Sequence, residues 1–298
     1  MKDNLAILGK SALVGGLFGV LGAALAVLFA FTPMYANGSF TVILVLITMA
    51  IIGVVLWLTG IQQKLEDWAG MGAMLTFGAL ASVISQMTYA TGKAKRSAAK
   101  GAVTPLNVLY LKVILPALAI AIIIALITNF TGIFDTAPLP GSKVLAPYPP
   151  GGVEVINQGM PYGVPGPFLP QGEPVGVDPL VFLWAFLICG VISALSQLIV
   201  MLTSMGMPTF FLISIITGAI LTPFGVMRAI VTVAGGGFQV MVFDAGEAMM
   251  STFYQLLHAG DPLPFVSVLV MLILLALFGM AGGWIKLARE KKSSKLKD

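Results

Sequence analysis

Apolar residues in this chain fall into long blocks, with almost no alternation of apolar and polar positions. Residues 11–31, 40–58, 110–128, 179–202, 210–226 and 264–284 are each long and apolar enough to form a helix that crosses the hydrocarbon core of a bilayer. Two further apolar stretches, 67–90 and 231–250, are interrupted. The first holds Gly70, Gly72, Gly78, Ser82, Ser85 and Gln86; the second holds Gly235, Gly236, Gly237, Gln239, Asp244 and Glu247. Each glycine weakens a helix by about 1 kcal/mol relative to alanine. These stretches are therefore expected to break, dip into the membrane and return. Gly15, Gly19 and Ala23 recur every fourth residue and predict a small-residue face for close helix packing. Pro116 is expected to kink its span, and Trp57 to anchor the end of another at the membrane interface.

The order span, span, interrupted stretch, span occurs twice. Leu13-Val14-Gly15-Gly16 lines up with Leu187-Ile188-Cys189-Gly190, and Ala69-Gly70-Met71-Gly72 with Ala234-Gly235-Gly236-Gly237. Duplication is the expected origin. Charge then selects a topology. Lys2 and Lys10, the group Lys93, Lys95, Arg96 and Lys100, and the tail with Lys286, Arg289, Lys291, Lys292, Lys295 and Lys297 all fall on one side if the chain crosses six times. Eight crossings would put Lys93–Lys100 on the other side. The positive-inside rule makes the shared side cytoplasmic, with both termini there. Three crossings per half is odd, so the halves would be inverted. The expected fold is an all-α polytopic membrane protein of two inverted three-helix repeats, each with a glycine-interrupted segment. The expected divisions are residues 1–128, a Pro/Gly-rich extracytoplasmic linker at 129–178, residues 179–285, and a basic cytoplasmic tail at 286–298. Transporters built this way hold their solute near the midplane, where the broken segments meet.

Composition removes other classes. With 58% hydrophobic and 9% charged residues the chain is no soluble globular domain, since those carry about 25% charged residues. The net charge of +4 sits in loops and tails, where it sets orientation and meets lipid headgroups, so no nucleic-acid partner is expected. Cys189 is the only cysteine, which rules out an intrachain disulfide, and His258 is the only histidine, which rules out a multi-histidine metal site within one chain. No hydrolase, nucleotide-binding or metalloprotease motif occurs, so an enzyme is not expected, and no cofactor is implied. Asp244 and Glu247 are three apart and share a helix face. At bilayer depth a carboxylate costs about 2.5 kcal/mol or more, so such groups face a bundle interior or an aqueous cavity. The candidate solute-path residues are Asp244, Glu247, Gln239, Arg228 as counter-ion or anion contact, Gly70, Gly72, Gly235 and Gly237 for close approach, and the amides Gln86 and Gln197.

Phe182-Leu183-Trp184-Ala185-Phe186-Leu187-Ile188-Cys189-Gly190, continuing to Ser196-Gln197-Leu198, resembles the opening of the AE group of the stage V sporulation (SpoVA) membrane proteins. Ala234-Gly235-Gly236-Gly237 and Ala69-Gly70-Met71-Gly72 resemble that family's A-G-A-G signature, and Leu13-Val14-Gly15-Gly16 its first-helix L-V-G-G. Where the family continues with a proline and later an asparagine, this chain has Thr76 or Met241, then Ser82 or Glu247. The resemblance covers roughly residues 10–125 and 180–285 and implies a fused pair of AC/AE-like units. It further implies a bacterial cytoplasmic or spore inner membrane location, assembly with like or other membrane subunits, and transport of dipicolinic acid with Ca2+ or of a related small anion. The alternative is a non-transporting structural subunit of a larger membrane complex.

Overall fold

The computed structural model describes residues 2–30, 38–132, 179–260 and 262–295. Most of the 129–178 stretch, with Lys143, lies outside them. Among the described residues the chain is helical, without strands. Helix α1 spans Lys2–Ala30, α2 Gly38–Leu58, α3 Ile61–Ala69, α4 Met71–Met74 and α5 Phe77–Ala94. Helix α6 runs over Ala98–Thr131. The second half contains α7 at Leu180–Thr203, α8 at Met207–Leu221, α9 at Val226–Ala234, α10 at Gly236–Gln239, α11 at Val242–Ala259 and α12 at Leu263–Lys295. Helices α1, α6, α7 and α12, and α8 with the 3-10 turn Thr222–Phe224 that continues it, are long and apolar enough to cross a membrane, and α2 joins them once its 94° bend into α3 is allowed for. This is a multi-pass α-helical membrane protein.

Matched positions share one constant offset. Gly60 and Gly225 start α3 and α9 with φ of 78° and 74°, and Gly70 and Gly235 end them with φ of 53° and 54°. Only glycine adopts this backbone without strain, because a Cβ would meet the neighbouring carbonyl. The short α4 and α10 follow, and then α5 and α11 begin.

Direction follows from contacts. A Cβ on Gly15 would meet Ser193, one on Gly19 would meet Ala185 and Cys189, and one on Gly190 would meet Ala12, so α1 and α7 run antiparallel. The small-residue face expected from Gly15 and Gly19 is this interface. Ser11 Oγ donates to the Ser193 carbonyl across it at 2.9 Å. Helices α6 and α12 are antiparallel too: the Trp284 indole donates to the Ala98 carbonyl, and Tyr110 Oη to that of Leu272. Helix α5 runs alongside α12 in the same direction. Ser85 donates to the Gly279 carbonyl near its middle, and Lys93 pairs with Glu290 at 3.0 Å near its end.

Pro116 lies within one continuous helical element, just after the π-helical stretch Leu106–Ile114. One departure from the sequence reading stands out. Trp57 is buried, 2% exposed, with the Lys286 ammonium 4.5 Å from its ring and Tyr89 edge-on at 5.9 Å. The start of the basic tail is a continuation of α12, held by these contacts.

Candidate functional site

The two broken segments meet at their breaks. Thr76 and Met241 form an isolated antiparallel bridge: Phe77 N donates to the Val240 carbonyl and Val242 N to the Leu75 carbonyl, both at 2.9 Å. At these positions the ordinary i→i−4 bonds are absent, and the backbone of one half satisfies that of the other. From the bridge the half-helices diverge. Helix α5 ends beside Lys93 and Glu290, at the end of the bundle where α1 begins, Lys10 lies over the Trp68 ring, and α12 finishes. Helix α11 ends where α12 starts, at the opposite end. Each segment thus reaches only to the middle of the bundle before returning.

Close approach at the bridge depends on the predicted glycines. A Cβ on Gly72 would lie 2.2 Å from the Ser11 carbonyl, and one on Gly237 2.6 Å from that of Gly19. Gln197 holds the first break: its Oε1 accepts from Met71 N at 2.8 Å, where a Cβ on Gly70 would intrude. Cys189 Sγ donates to the Gly237 carbonyl at 3.3 Å at the second.

Asp244 and Glu247 lie in the first turns of α11, just past the bridge, and are 8% and 7% exposed. Glu247 Oε2 has no hydrogen-bond partner. Gln239, at the end of α10, is buried with its Oε1 unpaired. Further along the same face, Ser251 Oγ donates to the Glu247 carbonyl at 2.7 Å, and Gln255 is fully buried with neither amide atom bonded.

The predicted residues therefore separate into three groups. Asp244 and Glu247 lie just past the bridge and Gln239 just before it; Gly70, Gly72, Gly235, Gly237 and Gln197 build the crossing itself. Gln86 stands apart, exposed on α5 instead of buried among apolar neighbours. Arg228 belongs to α9, but its side chain, like those of His258 and Asp261, lies outside the described residues. Sequence reasoning missed Gln255. Its spacing of eleven from Asp244, three helical turns, returns it to that residue's face, a signal available from helical periodicity. Among the described residues no three His, Cys, Asp or Glu side chains gather to hold a metal ion.

Taken together, paired glycine-broken segments inside a bundle of membrane-length helices, with carboxyls buried beside their crossing, define a polytopic α-helical membrane protein with a polar centre. Residues 181–285, from α7 through most of α12, match the family model described as SpoVAC/SpoVAEB sporulation membrane protein. The comparison with curated proteins gave no match, and neither did that with solved structures.

Proposed function

We propose that the chain is a membrane transport subunit whose solute path runs between the two glycine-broken segments. The observation that carries this reading is the backbone bridge at Thr76 and Met241 with Asp244 and Glu247 buried directly beyond it. Non-helical backbone and carboxyls at bilayer depth are tolerated only inside protein or along an aqueous path. The halves are read as inverted repeats, each a three-crossing unit, and the whole as a fused pair of the kind that matches over residues 181–285. Basic residues gather at the end reached by α5 and α12, which makes that end cytoplasmic by the positive-inside rule. The family resemblance suggests the solute: dipicolinate with Ca2+, or a related small anion.

The test is efflux from proteoliposomes holding purified full-length protein and loaded with calcium dipicolinate. Asp244→Asn and Glu247→Gln are expected to change the rate at least tenfold in variants that assemble normally.

One observation favours a second reading, in which the chain packs around other membrane subunits without conducting. A Cβ on Gly22 would lie 2.8 Å from Val240, one on Gly236 2.3 Å from Ala26, and one on Gly237 2.5 Å from Ala185, so the crossing is tightly filled. Absence of flux from purified protein, with both variants assembled, would favour that alternative.

A further inference from the structure

The basic residues at one end of the bundle come from two stretches far apart in sequence, 93–100 and 286–292, and the fold brings them together. A Cβ on Gly92, near the end of α5, would lie 2.5 Å from Leu287 of α12. One on Gly101, in the first turn of α6, would lie 2.6 Å from the Thr88 carbonyl of α5. Thr91 Oγ1 donates to Thr104 Oγ1 at 2.8 Å, and the Trp284 indole to the Ala98 carbonyl at 3.0 Å. The end of α5, the start of α6 and the end of α12 therefore meet.

Two of the cations there serve the fold. Lys286 lies 4.5 Å from the Trp57 ring and 5.0 Å from that of Tyr89. Lys93 pairs with Glu290, the one acid in either stretch. Lys95, Arg96, Lys100, Arg289 and Lys292 are exposed and have no ion-pair partner among the described residues. Cations gathered this way repel one another unless an anion covers them.

The architecture does not need this charge. In the other half the matching elements are the end of α11, the start of α12 and the end of α6. At the constant offset that relates the halves, Gly260, Phe265, Ile124 and Ile127 stand where this end has Lys95, Lys100, Arg289 and Lys292. An orientation signal acts through the residues flanking each span and gives no reason for the two stretches to converge.

Depth points to the partner. Trp284 is part-exposed with its N–H on a backbone carbonyl, the placement of a tryptophan at a membrane interface. On α6 the exposed apolar side chains Val103 and Leu106 begin one turn beyond Lys100, on the bilayer side. The cations thus start where the apolar surface ends. They spread over an open face and enclose no cavity, which fits a charged layer and not an isolated small anion.

We propose that this convergence is a docking surface for the headgroup of an anionic phospholipid, with Lys95, Arg96, Lys100, Arg289 and Lys292 facing its phosphate. A lipid held there ties α5, the returning arm of the first broken segment, to α6 and α12. The inference does not depend on the transport reading.

The test uses full-length protein in phosphatidylcholine vesicles holding a minor fraction of phosphatidylglycerol brominated in its acyl chains, with quenching of tryptophan fluorescence as the readout. Quenching is expected to show a preference over brominated phosphatidylcholine of at least about tenfold at low salt, most of it lost at high salt. Trp284→Phe is expected to remove the excess quenching, which locates the lipid at this patch. Arg96→Gln with Arg289→Gln alters exposed side chains only and is expected to lower the preference by about fivefold or more. Equal quenching by both lipids shows an orientation signal only and overturns the proposal. So does a preference that survives Trp284→Phe or the double arginine variant, or one that inorganic phosphate abolishes where chloride of equal ionic strength does not.

Discussion

Alanine at Gly218 or Gly246 is the sharpest structural test, because neither position has room for one more carbon. A Cβ on Gly218 would stand 1.9 Å from the Phe243 carbonyl oxygen, and one on Gly246 1.8 Å from that of Ile215. Ordinary contact begins near 3.4 Å, so α8 and α11 must part by about 1.5 Å. The obstructing atoms are backbone and cannot rotate away. Overpacking of this kind costs about 1–3 kcal/mol, with a backbone clash at the upper end. Against this stands a gain of about 1 kcal/mol in helix propensity from replacing glycine. The net expectation is a loss of about 2 kcal/mol, or a melting temperature lower by roughly 4–8 °C at 2–4 °C per kcal/mol. Gly9→Ala is the control: nothing lies within 4 Å of its Cβ, so propensity alone acts and the melting temperature is expected to rise. Tryptophan fluorescence on heating, in one detergent, reads all three. A Gly218→Ala or Gly246→Ala protein that melts at or above wild type would refute the reasoning, since the helices would not be in backbone contact.

Further expectations follow from the same geometry. Gln197→Leu removes the acceptor for Met71 N–H and leaves that buried group unpaired, at a cost of about 1–3 kcal/mol; faster amide exchange at Met71 would register it. Gly235→Ala forces a side chain onto a backbone at φ 54° and ψ −142°, with a cost of about 1–3 kcal/mol, read as a lower melting temperature. Lys93→Gln deletes an exposed ion pair with Glu290, worth under about 1 kcal/mol. Its melting temperature should stay within error of wild type, and a clear drop would show that this pair does more than decorate the surface.

The crossing helices were readable in the sequence because length and apolarity suffice to mark a span. The breaks were readable at Gly70 and Gly235, where glycine is needed for a positive φ. Other boundaries were not. Helix α3, with Gln62, Gln63, Lys64 and Glu66, is too polar to register in an apolar block, yet Gln62 is buried and its amide donates to the Glu66 carboxylate and the Ala73 carbonyl. Helix α6 begins at Ala98, well before residue 110, because Lys100 and Asn107 interrupt the apolar run without interrupting the helix. The acids were legible as a pair, but their burial was not. That depends on which helices pack against α11, and two of them, α6 and α8, come from different halves of the chain.

The account depends on α5 and α11 returning to opposite faces of the membrane. Single cysteines at Lys95, just past the end of α5, and at exposed Leu257, in the last turn of α11, in a Cys189→Ser background, can be labelled with an impermeant maleimide in sealed vesicles of known orientation. The account predicts that Lys95→Cys reacts only from the cytoplasmic side and Leu257→Cys only from the other. Reaction of both from one side would contradict it.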